Sequence, residues 1–191
     1  MSDATVRSIE SRLGVPMRIG LIIIAGAALM TLAAKVQIPF WPVPMTFHTL
    51  AVMAFAITFG PRITVSIFLA YLAAGAAGLP VFSGSPERGI GLAYMIGPTG
   101  GYLAGYLVAS WLVGRLAVGK GTLGRLGAML IGMVPIYGFG VAWLAFYVPV
   151  ANLLTTGVLP FILGDLVKIG LVTAGSLVLP KSFACLRGAG K

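Results

Sequence analysis

One stretch near the end of the chain decides how the rest must be read: Leu159-Pro160-Phe161-Ile162-Leu163-Gly164-Asp165-Leu166-Val167-Lys168-Ile169-Gly170-Leu171-Val172. It is apolar and long enough to span a membrane, yet it contains Asp165 and Lys168. A charge in hydrocarbon is expensive, so it usually faces a cavity or a partner. Residues three apart share one helix face, so the Lys can neutralise the Asp while both point at one small volume. The stretch predicts a polar ligand site or an ion path, and a purely structural ion pair is the alternative.

Composition places the chain in a membrane. It has 191 residues, of which 59% are hydrophobic and 9% are charged, whereas soluble domains carry about 25% charged residues. The apolar residues are spread along the whole chain, which predicts one polytopic domain rather than an anchored soluble one. The net charge of +9 comes from bases at the ends of apolar segments, where they act as topology signals. The lipid bilayer is therefore an expected partner, and nucleic acid is not.

Six apolar segments are predicted, so the fold class is all-α: a polytopic integral membrane protein with six transmembrane helices. Pro61 marks the end of the second segment, and Pro135 predicts a kink or a break in the fifth. We divide the chain into an N-terminal tail of residues 1–17, a membrane domain of residues 18–180 and a C-terminal tail of residues 181–191. The predicted segments are residues 19–36, 44–59, 63–79, 97–116, 126–148 and 159–179.

The basic residues orient these segments. Six crossings place both termini on one side, and ten of the thirteen bases lie there. The other side holds Lys35 and Arg88, and Lys168 is embedded. The positive-inside rule then makes both termini cytoplasmic. The ten bases are Arg7, Arg12, Arg18, Arg62, Arg115, Lys120, Arg125, Lys181, Arg187 and Lys191.

This orientation puts the charged pair in the outer half of the bilayer. At 1.5 Å per residue, Asp165 lies roughly 9 Å and Lys168 about 13 Å below the outer end of the last segment. The neighbouring outer loops, residues 37–44 and 82–100, are apolar, aromatic and rich in Gly and Pro. We expect them to act as lids over an outward-facing cavity.

The pair suits a particular ligand chemistry. Asp165 accepts hydrogen bonds and Lys168 donates them, which fits a neutral planar group with N–H donors beside a C=O acceptor, such as a urea or an amide. An anionic tail on that ligand would need another cation, for which Arg88 is the first candidate and Lys35 the second. The alternative for Arg88 is a solvated loop base paired with Glu87.

Other groups of polar residues give weaker evidence for a functional site. Thr46 and His48 begin the second segment, where they can hydrogen-bond across helices. A lone His with no Cys cluster predicts no metal site. A hydrolase triad could be drawn from Ser83, His48 and Asp165, but no nucleophile motif supports it, and we expect no enzyme and no catalytic residue. The Gly-rich residues 97–102 lack the Lys of a phosphate-binding loop, so we expect no ATP site.

Four blocks of sequence occur in a specific order. They are Val43-Pro44-Met45-Thr46-Phe47-His48-Thr49-Leu50-Ala51-Val52, Gly78-Leu79-Pro80-Val81-Phe82-Ser83-Gly84, Gly97-Pro98-Thr99-Gly100-Gly101-Tyr102-Leu103-Ala104-Gly105-Tyr106 and Gly157-Val158-Leu159-Pro160-Phe161-Ile162-Leu163-Gly164-Asp165-Leu166-Val167-Lys168. Together they resemble the BioY family, the substrate-binding S components of energy-coupling-factor (ECF) biotin transporters. The resemblance covers residues 15–180, and four collinear blocks are more specific than any single Gly-rich loop.

The resemblance implies a six-helix protein with an outward-facing biotin cavity in the cytoplasmic (inner) membrane of a prokaryote. Asp165 and Lys168 match the family's binding-site Asp and Lys, and Ser83 and Tyr102 match positions at the cavity. The implied partners are a transmembrane T subunit and two cytoplasmic ATPase subunits. ATP would be bound by those partners, so this chain would carry no cofactor. The ligand-binding set predicted in this way is Asp165, Lys168, Ser83, Tyr102, Arg88, Phe82, Thr46 and His48.

The chain departs from the family pattern at His48 and at residues 85–88, and also in its first helix. Family members often have Gln where this chain has His48, which keeps a polar contact. Residues 85–88 replace a more Gly-rich stretch, so the family does not secure a role for Arg88. The small-residue step that S components use for docking in their first helix is reduced here to Ala27 and Thr31.

Two other functions compete with a biotin-binding S component. The first is an ion-coupled carrier or channel for a small polar solute that uses Asp165 as its relay, and the second is a membrane enzyme. A proton-coupled carrier predicts uptake by the chain alone, driven by a pH gradient. The S component predicts tight binding by the chain alone and ATP-dependent uptake with partners.

Overall fold

Helices account for most of the chain in the computed structural model, which describes residues 3–178. Six helices of twelve or more residues lie in that range, and each overlaps one predicted segment. Helix α1 begins at Asp3, inside the stretch predicted as a tail, and the predicted C-terminal tail lies outside the described residues. The helices are α1 (Asp3–Lys35), α2 (His48–Phe59), α3 (Pro61–Ala76), α4 (Gly91–Met95), α5 (Gly100–Leu116), α6 (Thr122–Leu144), α7 (Leu153–Gly157) and α8 (Leu159–Val178), with a 3-10 turn at Val150–Asn152.

The prediction of an all-α fold missed one short sheet. Strand β1 (Gln37–Ile38) pairs antiparallel with β2 (Met45–Thr46), so that Gln37 lies opposite Thr46. Thr46 therefore belongs to a hairpin, and helix α2 begins two residues later, at His48. Proline explains the difference, because Pro42 and Pro44 disfavour helix in the residues before them and lack an N–H to donate.

Glycine and proline set two of the helix boundaries. Gly60 separates α2 from α3 with φ of 80°, and Pro61 occupies the first turn of α3, where its missing N–H costs nothing. This confirms that the second segment ends before Pro61. Of the kink or break expected at Pro135, the break is wrong, because α6 is one helix from Thr122 to Leu144 with this proline inside.

Helices α5 and α6 approach each other closely along a line of glycines. A Cβ at Gly101 would lie 2.2 Å from the Trp143 Cβ, and one at Gly105 would lie 2.7 Å from both the Ile136 Cα and the Pro135 carbonyl oxygen. Such contacts are possible only without a side chain, as in other tightly packed membrane helices. This pairing brings the aromatic residues of α5 and α6 to one cavity.

Three helical stretches are long and apolar enough to cross a membrane. They are Pro16–Lys35, Thr122–Leu144 and Val150–Leu177, with mean hydropathies of 2.0, 1.7 and 1.7. Shorter apolar helices occur at His48–Phe59 and Pro61–Ala76. Over 18 apolar residues of each stretch, only 17% of the residues in the first and 33% in each of the other two are buried within the protein. Their outer faces are therefore apolar and uncovered, which suits contact with lipid.

We predict that Gly105→Ala destabilises the protein by about 1–3 kcal/mol, since the added methyl meets backbone atoms that cannot move aside. Gly138→Ala in helix α6 is the matched control, because nothing lies within 4 Å of the position that its Cβ would take. Thermal unfolding in detergent would measure both. Equal unfolding temperatures for the two variants would contradict this account of α5–α6 packing.

Candidate ligand-binding site

Helix α8 carries a buried ion pair at the centre of the candidate site. The Lys168 Nζ lies 2.9 Å from the Asp165 Oδ1, and both residues are buried. The Lys168 ammonium also donates to the Thr46 carbonyl oxygen at 2.6 Å, and the Tyr137 hydroxyl donates to the Asp165 Oδ2 at 2.8 Å. The pair thus joins helix α8 to strand β2 on one side and to helix α6 on the other.

A second polar group lies beside the first, around the only histidine of the chain. The His48 Nδ1 is 2.8 Å from the Thr46 Oγ1, and its Nε2 is 2.9 Å from the Tyr71 hydroxyl. The ring stacks on Tyr106 at a centroid distance of 5.4 Å. Tyr106 in turn bonds to Thr49 through its hydroxyl at 3.1 Å. Every buried side-chain nitrogen and oxygen in the described part of the chain has a partner, as a stable polar interior requires.

A cavity lies against the charged pair. It encloses about 520 Å³ of space free of protein atoms, which includes open solvent at its mouth. Aromatic and aliphatic side chains form most of its wall, and a few polar groups converge on it, which is typical of small-molecule sites. Its lining residues are Val43, Pro44, Met45, Thr46, His48, Ser83, Tyr94, Thr99, Tyr102, Leu103, Tyr106, Ile136, Tyr137, Phe161, Asp165 and Lys168.

Hydroxyl groups occupy another part of the cavity wall. Ser83 donates a short hydrogen bond to the Gln37 side-chain oxygen, and Ser83 and Thr99 both interact with the Tyr94 hydroxyl. Burial raises the pKa of the Tyr94 phenol above its ordinary value, so the group stays protonated and can donate. Tyr94 stacks on Phe82 with ring centroids 4.7 Å apart. These hydroxyls can serve a polar group at the far end of a bound molecule.

The two loops expected to act as lids are tied to each other by polar contacts. Lys35 donates to the Ser85 carbonyl oxygen at 2.7 Å. Arg88 donates to the Pro42 and Phe40 carbonyl oxygens at 3.2 and 3.1 Å, and its guanidinium lies 5.6 Å from the centre of the Trp41 ring. Lys35 therefore fastens the end of helix α1 to the second loop, and Arg88 fastens the two loops to each other, in each case through backbone acceptors.

Six of the eight predicted site residues line the cavity, and two do not. Phe82 is fully buried behind Tyr94. Arg88 lies in an adjoining recess, which it shares with Trp41 and Glu87, and within residues 3–178 it forms no ion pair with Glu87. The six lining residues are Thr46, His48, Ser83, Tyr102, Asp165 and Lys168.

Sequence reasoning missed four hydroxyl-bearing residues of the cavity. Tyr137 is the most important of them, because it bonds directly to Asp165. A tyrosine inside an otherwise apolar segment was the available signal, but its sequence position does not reveal which helix face it occupies. Tyr94 and Thr99 reach the cavity from the segment of residues 82–100, and Tyr106 reaches it from α5.

The geometry does not support hydrolase or metal chemistry. His48 bonds to Thr46 and Tyr71, whereas Ser83 bonds to Gln37, so Ser83, His48 and Asp165 form no relay with one another. Among the described residues, no group of three His, Cys, Asp or Glu side chains could hold a metal ion.

Comparison with known proteins decides the family. The model of the BioY family matches residues 7–184. The chain belongs to the BioY family. It is 36% identical over 141 residues to a probable biotin transporter BioY of Pyrococcus horikoshii, covering 74% of this chain and 83% of that protein. It is 34% identical over 156 residues to the biotin transporter BioY of Thermotoga maritima, covering 81% and 90%.

A solved structure shares the fold. The S component for biotin from an ECF-type ABC transporter superimposes with a TM-score of 0.74 at 25% identity, over 93% of this chain and 94% of that one. These relatives are named transporters, which confirms the prediction that the chain is not an enzyme. Membership of this BioY family and the apolar helices together identify a multi-pass membrane protein.

We predict that Lys168→Met alone destabilises the protein by about 3–5 kcal/mol, because it leaves the buried Asp165 carboxylate without its cation. The double change Asp165→Asn with Lys168→Met removes the stranded charge, so most of the stability should return. The yield of monodisperse protein in detergent and its unfolding temperature measure this. A double variant no more stable than Lys168→Met would contradict the coupling of the two charges.

Proposed function

We propose that this chain is the biotin-binding S component of an ECF transporter and mediates biotin uptake. The observation that carries the proposal is the buried Asp165–Lys168 pair at the wall of a cavity lined mostly by aromatic and aliphatic side chains. Family membership supplies the name of the ligand, since relatives are named biotin transporters and the structural neighbour is an S component for biotin.

The ureido ring of biotin matches the polar pair. It offers two N–H donors and one C=O acceptor in a plane. Asp165 already receives one hydrogen bond on each oxygen, from Lys168 and Tyr137, and each oxygen keeps a second lone pair. The Lys168 ammonium has three protons, of which Thr46 and Asp165 engage two, so that within the described part of the chain one remains for the ligand carbonyl.

The rest of biotin fits the remainder of the cavity. The apolar bicycle and chain would contact Tyr102, Tyr106 and Phe161, which line the wall. The carboxylate would be received at the hydroxyl end, near Ser83, with Arg88 in the adjoining recess as its first candidate cation. Binding would then bury both polar ends of the ligand against protein donors.

The membrane arrangement is part of the proposal. Six crossings place the cavity toward the outside and both termini in the cytoplasm, in the cytoplasmic (inner) membrane of a prokaryote. The ten-to-two distribution of bases supports this orientation. Six helices of twelve or more residues lie at the expected positions, although α2, α3 and α5 have only 12, 16 and 17 residues.

Energy would come from partners. The chain has no Gly-rich phosphate loop with a Lys, so we assign ATP binding to two cytoplasmic ATPase subunits and their coupling to a transmembrane T subunit. Likeness to an S component of an ECF-type ABC transporter supports this class of partner. The chain itself would need no cofactor.

We predict that the purified chain binds biotin tightly and that Asp165→Asn and Lys168→Met each weaken binding by orders of magnitude. Each change removes a ligand contact and strands a charge, and 1.4 kcal/mol corresponds to roughly tenfold in affinity. The double variant should recover folding while binding stays lost. Calorimetric titration of protein from biotin-depleted cells measures this. Near-native biotin affinity in the double variant would overturn the assignment of the pair as the site.

We predict that concentrative biotin uptake requires partner ATPases and ATP. The competing function, a proton-coupled carrier with Asp165 as relay, instead predicts uptake by the chain alone under a pH gradient. Reconstitution of the purified chain in liposomes with an imposed gradient and no ATP separates the two. Accumulation of biotin above its external concentration in that experiment would favour the carrier and refute the shared energising module.

A further inference from the structure

We propose that Lys168 makes the cavity selective for an electrically neutral ligand head, and that removing its charge switches the preference to a cationic guanidinium head. This inference rests on the proposed biotin site and goes beyond it, because it assigns to one residue the choice between two ligands of nearly identical shape. The proposal rests on the hydrogen bonds of Asp165 and on the balance of charges around it.

The charged groups at the cavity wall cancel. Asp165 and Lys168 contribute one negative and one positive charge 2.9 Å apart, and the other lining residues include no Lys, Arg, Asp or Glu. Both residues are buried, so solvent screens their fields only weakly. A neutral head keeps this balance, whereas a cationic head adds a charge beside the Lys168 ammonium.

Hydrogen-bond capacity favours the same ligand. Lys168 has only donors, and it is held in place by the Thr46 carbonyl and the Asp165 carboxylate. Its partner on a ligand must therefore be an acceptor, which the carbonyl of a cyclic urea provides. A cyclic guanidinium presents N–H groups at that position. Its donors would then face the donors of Lys168, and its positive charge would face the Lys168 ammonium.

Loss of Lys168 reverses both the charge balance of the cavity wall and its hydrogen-bonding preference. Asp165 would keep the Tyr137 hydroxyl on one oxygen and would need a cation. A planar guanidinium can give a carboxylate two parallel N–H···O bonds, which is among the stronger polar contacts in proteins. Tyr137 acts here as a positioning residue, since its hydroxyl holds the carboxylate without supplying charge.

The test compares two probes, D-biotin and 2-iminobiotin, in which an imino nitrogen replaces the ureido oxygen. The guanidine of 2-iminobiotin is a cation at neutral pH, as that of arginine is. Calorimetry at pH 7 would measure both affinities for the unmodified chain, Lys168→Met and Lys168→Gln. Lys120→Met is the matched control, because it removes one positive charge at an exposed loop far along the chain from the site.

We expect the unmodified chain and Lys120→Met to prefer biotin by about 100-fold or more, the scale of a desolvated like-charge contact. Lys168→Met or Lys168→Gln should lower that ratio by at least about 100-fold and bring it to parity or below. If neither variant folds, the unmodified chain still decides, since comparable affinities for the two probes would overturn the proposal.

The outcomes distinguish this inference from the proposed function. If the unmodified chain binds neither probe, the biotin assignment itself fails. If it binds biotin and the Lys168 variants lose both probes equally, with their ratio unchanged, Lys168 is a general support of the site and the selectivity proposal is wrong.

Discussion

A charge buried in an apolar helix must be neutralised and hydrogen-bonded where it lies, and the rest of the structure depends on this constraint. Asp165 meets it with Lys168, one helical turn away, and with the Tyr137 hydroxyl from α6. Lys168 meets it with Asp165 and with the Thr46 carbonyl of the hairpin. The contacts that neutralise these two charges thereby hold helix α8, helix α6 and the β1–β2 hairpin together around the ion pair. Among the described residues, the same groups keep unused hydrogen-bonding capacity at the cavity, so the proposed ligand recognition would draw on the interactions that hold the fold.

Glycine makes room for the aromatic wall that surrounds this point. A Cβ at Gly140 would lie 2.3 Å from the Tyr102 ring, and one at Gly75 would lie 2.1 Å from the Phe82 ring. Each ring occupies the space that a side chain on the neighbouring helix would fill. Tyr102 then bonds to the Gly157 carbonyl oxygen at 2.7 Å, next to the start of α8. In lipid, where apolar burial alone does not drive helices together, such close packing supplies much of the association energy.

The sequence was sufficient to predict the six long helices and the charged pair, because both depend on local pattern, whereas the short helices α4 and α7 lie where loops were expected. Hydropathy locates the long helices, and two charges three residues apart inside an apolar run point to a site. Contacts between distant segments could not be predicted in this way. Tyr137 is 28 residues from Asp165, and the hairpin at Gln37–Ile38 depends on pairing across three prolines. Arg88 was assigned to ligand or to Glu87, whereas it donates to loop carbonyls that no residue pattern specifies.

The polar contacts divide into a deep set and a peripheral set, and this division bears on how a ligand would enter. The Asp165–Lys168 pair is buried, so breaking it would expose charge to an apolar surrounding. The loops are joined by the Ser83–Gln37 side-chain bond and by two bonds from Arg88 to backbone carbonyls, of which the bond to Phe40 is exposed to solvent. Water can replace an exposed bond of this kind at little cost, because the donor exchanges one partner for another. A ligand that enters past Arg88 would therefore displace an exposed bond first, while Asp165 and Lys168 keep their contacts with Tyr137 and Thr46.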